Sequence, residues 1–442
     1  MNSAIQSLPL PELYYLSSGH AYFTPDDNAK WISINESAAK LWIRSRGYSE
    51  KKENGVSEAD QCFLDVQRKQ NVSYAGKLAG HNAGFYDING NKILVTESPN
   101  LIVPAPGDWP LIRAILDGMF NVESEGHDGV DQRPYFLAWL KRSLESLYSH
   151  RWMQGQVLAF AGPPGAAKSL LQSLLTEMFG GRSSKPYLFM TGRTDFNADL
   201  FEGEHLVVDD EAESVDMKAR RHFAGNIKQV AVTKTHHCHA KNRQALLLTP
   251  QWRMTISLND DPERMLVLPP ITQDIEDKLM LFKVQKRPMP MPTATGDEKE
   301  AFWRALVAEL PAFIYDTLRY EIPAELLCPR FGVKHYHHPE LLAALKDTAP
   351  ETLLLNLIDQ VGRSNPCIYG EDRTALEIQR MLRESQTLSQ DAAQLLRYPT
   401  SCGSYLTRLA SVDGAEKRVT RRTLHGTTRY TISAPGVVPS RN

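Results

Sequence analysis

The amino-acid sequence predicts an α/β fold, and three observations predict it. Through residues 155–284 short apolar runs alternate with stretches of helical spacing, the order of a parallel sheet covered by helices. Within that stretch a loop with two glycines, Gly162–Ser169, stands between an apolar run and an amphipathic one. Towards the end of the chain three helical stretches precede two strand-like runs around the turn His425-Gly426.

At 442 residues the chain is too long for one core, so two to four domains are expected. A net charge of -2 with 23% charged residues places it among ordinary globular proteins and argues against disordered or fibrous classes. Cys62, Cys238, Cys328, Cys367 and Cys402 lack the spacing of a disulfide framework or a zinc ribbon, which suits a reducing cytoplasm. With no secretory pattern at the N-terminus and no apolar run of bilayer length, a cytoplasmic protein without a membrane partner is expected. The balanced total hides local basic fields. From Met217 to Leu258 there are eight basic residues and no acidic one, and from Arg397 onwards eight stand against only Asp413 and Glu416. Such fields attract phosphate backbones.

In chain order, residues 1–110 read as a mixed α/β module. Glu36–Arg46 is a helical run stopped by Gly47, and Phe85–Ile88 with Ile93–Thr96 reads as a hairpin turning at Asn89-Gly90. Its role is open, and it lacks the Asp-x-Asp pair that a primase-polymerase needs for metal. The polar loop Glu123–Asp131 is a candidate boundary. Phe136, Leu137, Leu140, Leu144 and Leu147 then recur at helical spacing, so residues 111–154 read as a helical collar and 155–345 as the central core. Arg287–Thr295 holds three prolines and reads as a linker, and Glu298–Leu318 as a helical region broken at Pro311. Residues 346–442 offer helices at Thr352–Val361, Arg373–Arg383 and Ser401–Ala410. Strands Arg418–Leu424 and Thr427–Ser433 come next, in the order of a winged-helix domain.

The chemistry centres on Gly162-Pro163-Pro164-Gly165-Ala166-Ala167-Lys168-Ser169, set between the strand Val157–Ala161 and the helix Leu170–Phe179. A phosphate-binding loop requires this context, because successive backbone N–H groups and the helix N-terminus, here as far as Leu170, surround phosphate oxygens. Lys168 would neutralise the β- and γ-phosphates and Ser169 would ligate Mg²⁺, which makes ATP and Mg²⁺ the expected cofactors. Ala167 departs from the glycine usual at its position. The apolar run that starts at His205 ends in Asp209, Asp210 and Glu211. In one register Asp209 holds Mg²⁺ through water and Asp210 polarises the attacking water; shifted by one, those roles fall to Asp210 and Glu211. The strand Met254–Leu258 ends in Asn259, which either orients that water or starts the turn Asn259–Pro262.

These elements resemble the superfamily 3 helicases, in the phage and poxvirus primase-helicase branch of the AAA+ ATPases, over residues 110–345. The resemblance implies that Asn259 is the sensor at the end of motif C. It implies a DNA-tracking hairpin with strands Gln229–Thr233 and Gln244–Leu248 and the tip Lys234–Arg243, putting Lys234, His236, His237, Lys241 and Arg243 on DNA phosphates. A zinc site at His236–His239 is the weaker reading, since adjacent residues do not easily wrap one tetrahedral ion. The resemblance also implies a ring-shaped homo-oligomer, a hexamer, with a finger residue reaching the neighbouring subunit's phosphates, here Arg264 or Lys278. In the C-terminal domain Arg408 would face DNA from the recognition helix, and Arg418, Arg421, Arg422 and Arg429 would form the wing. The expected function is an ATP-dependent DNA helicase acting on single-stranded or forked DNA in replication of a phage or mobile element, with primase or polymerase on a separate chain. The alternative is an AAA+ DNA-binding switch or loader that assembles with ATP and does not unwind.

Overall fold

Short strands come first among the described residues, and in the middle one burial alternates. In this computed structural model residues 10–436 are described, apart from 54, 89, 121–129, 210–216, 242–243, 348, 386 and 412–416. Strands β1 (Tyr14–Leu16), β2 (Ala21–Pro25) and β3 (Trp31–Ile34) form an antiparallel sheet in that order. Helix α1 (Glu36–Ser45), the two-residue strands β4 (Lys52–Glu53) and β5 (Val56–Ser57), and helix α2 (Glu58–Lys69) come after it. Asn35 caps α1 and Ser57 with Asp60 forms a capping box on α2. Ala39, Ile43, Phe63 and Val66 pack against Leu13 and Tyr22. A second sheet joins β6 (Tyr74–Gly76), β7 (Gly84–Ile88) and β8 (Asn91–Val95) in the order β6-β8-β7.

This N-terminal segment is welded to the central part of the chain. The buried carboxylate of Glu204 accepts from the Gly80 amide at 2.8 Å and from Arg182 Nε at 2.9 Å. A buried charge of this kind is tolerated only when paired and hydrogen-bonded. Residues 1–341 accordingly form one unit, and residues 342–442 a second.

The central part carries α3 (Pro110–Phe120), α4 (Arg133–Tyr148), β9 (Val157–Ala161), α5 (Lys168–Met178), β10 (Ser183–Ser184) and α6 (Tyr187–Met190). Then come β11 (His205–Val208), α7 (Met217–Val232), β12 (His236–Cys238), β13 (Leu246–Leu248), β14 (Arg253–Leu258), α8 (Pro262–Met265), β15 (Leu279–Lys283) and α9 (Gly296–Arg319). Five strands pair in parallel in the order β10-β11-β14-β9-β15. Every residue of β9, β11 and β14 is buried, the condition of a parallel sheet covered on both faces. Side chains of α3, α4, α5 and α9 close over Phe160 and Phe282.

Two helices differ from the sequence expectation. α9 runs unbroken through Pro311. The residue costs about 3 kcal/mol in a helix interior, but Phe302, Leu306 and Leu310 before it and Phe313 and Ile314 after it are buried in the same core. At about 1.5–3 kcal/mol each, those side chains outweigh the defect. In the second case Gln229–Val232, expected as the first hairpin strand, is the end of α7. The resemblance implied a strand here, but Phe223, Ile227 and Ala231 recur every four residues and are all fully buried, so the helix continues. No helix among the described residues is long and apolar enough to cross a membrane.

In the second unit, α10 (Pro339–Asp347) spans the division, and the chain continues through α11 (Pro350–Ser364), α12 (Ala375–Glu384), α13 (Ser389–Leu395), α14 (Ser401–Ala410), β16 (Val419–Leu424) and β17 (Thr427–Ile432). The β16–β17 turn has His425 at φ 48° and Gly426 at φ 76°, the pair of positive values a two-residue hairpin turn requires. An isolated bridge from Arg373 to Tyr430 adds a third strand position. Leu354, Ile358, Ile378, Leu382, Leu406 and Ile432 form the core of this unit. The short helix α13 has no counterpart in the sequence expectation.

Candidate functional site

The residues of Gly162–Ser169 connect β9 to α5 at the C-terminal end of the parallel sheet, where open α/β sheets place their ligands. Two loop glycines are required for different reasons. A Cβ on Gly162 would lie 2.1 Å from the Val284 carbonyl oxygen, so only glycine fits between β9 and the end of β15. Gly165 has φ 79°, a conformation side chains disfavour. Ala167 also has positive φ, 59° with ψ 17°, immediately before the first residue of α5. Alanine holds this left-handed conformation at a cost of about 1–2 kcal/mol, which is the strain expected where a backbone is shaped for a ligand.

Lys168 is nearly buried. Its ammonium donates to the Gly162 carbonyl at 2.5 Å, the Pro163 carbonyl at 3.1 Å and Asn259 Oδ1 at 2.9 Å. The last contact joins two motifs far apart in sequence. It arises because β14 lies directly beside β9, with Leu258 opposite Ala161, so Asn259 emerges next to Gly162.

Behind the loop a buried polar chain fixes α5 to the sheet. Gln172 Nε2 donates to Thr255 Oγ1 at 3.0 Å, His205 Nε2 contacts Thr255 Oγ1 at 2.8 Å, and His205 Nδ1 contacts Thr176 Oγ1 at 2.7 Å. Burial, with a smaller contribution from Lys185, pushes the His205 imidazole down to about 3, so it is neutral here. No motif singles out these strand and helix positions, since each is an ordinary polar residue until the sheet order brings them together.

Asp209 comes directly after β11 and is separated from the loop strand by β14. Its carboxylate pairs with Lys185, a residue that belongs to no recognisable motif. Asp210 and Glu211 lie outside the described residues. Ser169 is exposed at the start of α5. A further basic residue stands at the loop: Lys286, exposed and two residues beyond Val284, whose Cε would lie 3.3 Å from a Cβ on Gly165. The signal available for it was position, just past the C-terminal end of a core strand.

Of the two finger candidates, Arg264 lies exposed in α8, directly after the Asn259 turn. Lys278, by contrast, is buried, paired with Asp277 at 2.5 Å, and directly precedes β15.

The hairpin expected to touch DNA is β12–β13, registered with His236 opposite Leu248 and Cys238 opposite Leu246. Asn197 holds one strand from both sides, donating to the His237 carbonyl at 2.9 Å and accepting from the His239 amide at 2.7 Å. Alternation along β12 decides which histidine faces solvent: His237 is exposed, whereas His236 turns inwards. His236 Nε2 contacts the Thr233 carbonyl at 2.9 Å and its ring lies 4.9 Å from Trp252. Burial holds its imidazole below the usual histidine range, against the weaker opposing pull of the Thr233 carbonyl. His236 is therefore a packing residue of the hairpin rather than a surface cation. Lys234 and Lys241 are exposed, and Arg243 lies outside the described residues.

In the second unit several expected DNA contacts are already engaged. Arg408 pairs with Glu351, Arg422 pairs with Asp372, and Arg418 holds Asp359 through two bonds of 2.6 and 2.8 Å. Arg421 is exposed on β16.

Fold and site together define a class: a mixed α/β protein whose five-stranded parallel sheet is of a kind consistent with a nucleotide-binding core. No family model matches the sequence, and no curated protein matches it. Solved structures do. The apo structure of the NrS-1 C-terminal region, residues 305–718, is similar at a TM-score of 0.53 and 13% identity, over 96% of this chain and 95% of that one. The A-form apo structure of the same region is similar at a TM-score of 0.52 and 12% identity, over 96% of each chain. This chain therefore shares its fold with the NrS-1 C-terminal region along nearly its whole length.

Proposed function

We propose that the chain is the motor of an ATP- and Mg²⁺-dependent DNA helicase that works as a ring-shaped homo-oligomer, a hexamer, in replication of a phage or mobile element. The observation that carries this reading is the 2.9 Å contact between Lys168 and Asn259, a loop lysine and a sensor amide at one end of a parallel sheet. The residues fit a nucleoside triphosphate. Gly165 takes the left-handed turn of the loop, and a helix N-terminus, here the start of α5, presents N–H groups that favour phosphate oxygens.

When bound, ATP with its Mg²⁺ supplies the scissile phosphoanhydride and neutralises charge on the β- and γ-oxygens. The side chains do the rest. Lys168 would exchange its carbonyl acceptors for phosphate oxygens, Ser169 would ligate the metal together with Asp209 or, shifted by one, Asp210, and Asn259 would orient the attacking water. In those two registers Asp210 or Glu211, respectively, would polarise that water. Arg264 is the residue best suited to reach a neighbour's phosphates.

On the DNA side, Lys234, His237, Lys241 and Arg243 would follow the backbone of a single or forked strand without reading bases. The second unit, in which α11, α12, the short α13 and α14 precede a hairpin closed by a third strand position, is read here as a winged helix. A primase or polymerase would act from a separate chain.

The test is DNA-stimulated ATP turnover by wild type and Lys168→Ala. Loss of two or more orders of magnitude is expected, on the order of ~3 kcal/mol or more of transition-state stabilisation. Equal turnover in the two proteins would remove the enzyme reading.

A further inference from the structure

At the opposite end of the sheet from the phosphate loop, a second cluster of ligating side chains stands where the edge strand begins. β15 is the edge of the parallel sheet, and residues 335–338 run beside it as a short extension. Two backbone bonds hold that extension: Leu281 N donates to the Tyr336 carbonyl at 2.8 Å, and His338 N donates to the Leu281 carbonyl at 3.0 Å. In extended chain, alternate residues share a face. Tyr336 and His338 are buried, which turns His335 and His337 together to the other face. Their rings lie 5.0 Å apart.

Glu276 meets them from the turn before β15, which is closed by the Glu276 amide donating to the Thr272 carbonyl at 2.9 Å. Its Oε1 is 3.9 Å from His335 Nε2, and one ligand atom from each of the three residues lies within 4.8 Å of the others.

We propose that Glu276, His335 and His337 form a three-ligand site for a divalent metal of the Zn²⁺ class, which pins the 335–338 extension to the sheet edge. Two imidazoles and a carboxylate are the donors a borderline ion such as zinc prefers, and their summed charge is opposite to the ion's. Zinc at about 2.0–2.2 Å from each ligand brings donor atoms to about 3.4 Å from one another. Glu276 and His335 are partly exposed and can rotate to make that contraction. The carbonyl of Leu279 takes a 2.8 Å contact from His337 Nε2. That bond orients the ring as outer-shell carbonyls orient metal-bound imidazoles. The fourth position is open to water. Pinning matters here because an exposed sheet edge offers unpaired backbone to any passing strand.

The experiment uses the full chain, tag-free and stripped with a chelator, titrated with Zn²⁺ against a competing indicator and, in parallel, melted with and without Zn²⁺. One equivalent bound per chain is expected, with a Zn²⁺-dependent rise in melting temperature. Glu276→Gln and His335→Ala, both at partly exposed positions, should each weaken binding about ten-fold or more and remove the rise. His237→Ala with His239→Ala should leave both unchanged. The proposal is overturned if wild type binds no Zn²⁺, if the Glu276 and His335 variants bind it as wild type does, or if binding disappears instead in the His237/His239 variant.

Discussion

The two basic hairpins of this chain use their charge in opposite ways. At β16–β17 two of the four arginines face acidic groups of their own unit, Arg418 on Asp359 and Arg422 on Asp372, and Arg429 donates to the Asp372 backbone carbonyl. In β12–β13 the acidic partners are absent from the local sequence, and Lys234 and Lys241 stand exposed at the two ends of the first strand. Counting basic residues makes the two segments look alike. Partners separate them: charge already paired within the fold stabilises the fold, and exposed charge is available to a polyanion.

The comparison can be broken by mutation. The largest effect is expected for Lys234→Ala with Lys241→Ala. Strand displacement should fall at least ~10-fold, with the salt dependence of single-strand binding shallower by about 1.4, two phosphate contacts at about 0.7 each. A slope equal to wild type's would take these lysines off the backbone. Next is Arg418→Ala, which should lower the stability of residues 342–442 by about 2 kcal/mol, because it leaves the largely buried Asp359 without its bidentate partner. Calorimetry reads this, and a variant that melts normally but loses DNA would invert the assignment of paired and available charge.

A smaller effect is expected for Arg421→Ala, at most one phosphate contact or about 0.7–0.9 in the slope. The smallest is a pH effect confined to one hairpin. Folded His236 is held below the ordinary histidine value, whereas in the opened chain the same ring takes its proton near about 6.5. The stability conferred by burying it is therefore complete above about pH 6.5 and declines as the pH falls through that value. Hydrogen exchange at residues 236–248 should speed up on acidification relative to residues 419–432. Equal acceleration of both would show that the imidazole is not the cause.

What could be read from the sequence was what a short window determines. The strand Val157–Ala161, the helix Ser401–Ala410 and the turn His425-Gly426 coincide with their observed counterparts, because periodicity and turn chemistry act locally. The segment Gln229–Thr233 misled because the resemblance put the first hairpin strand there, while the four-residue spacing that makes residues 229–232 helical begins upstream at Phe223. The side chains around the loop were legible only in part. Lys168 and Asn259 were visible as motif positions. Lys185 beside Asp209, Lys286 beside Gly165 and Thr255 beneath Gln172 depend on strand order, which no window contains. The same holds for Glu276 with His335 and His337, which only the edge of the sheet brings together.

Gly162 and Ala167 sit in the same eight-residue loop, yet they set different terms for inheritance. An atom added at Gly162 would lie 2.1 Å from the Val284 carbonyl oxygen, so the backbone of the neighbouring strand would have to move. At Ala167 the demand is only for a backbone angle, and Ala167→Gly should raise stability by about 1 kcal/mol. Substitution in the loop thus costs little where the constraint is torsional and much where it is a backbone contact.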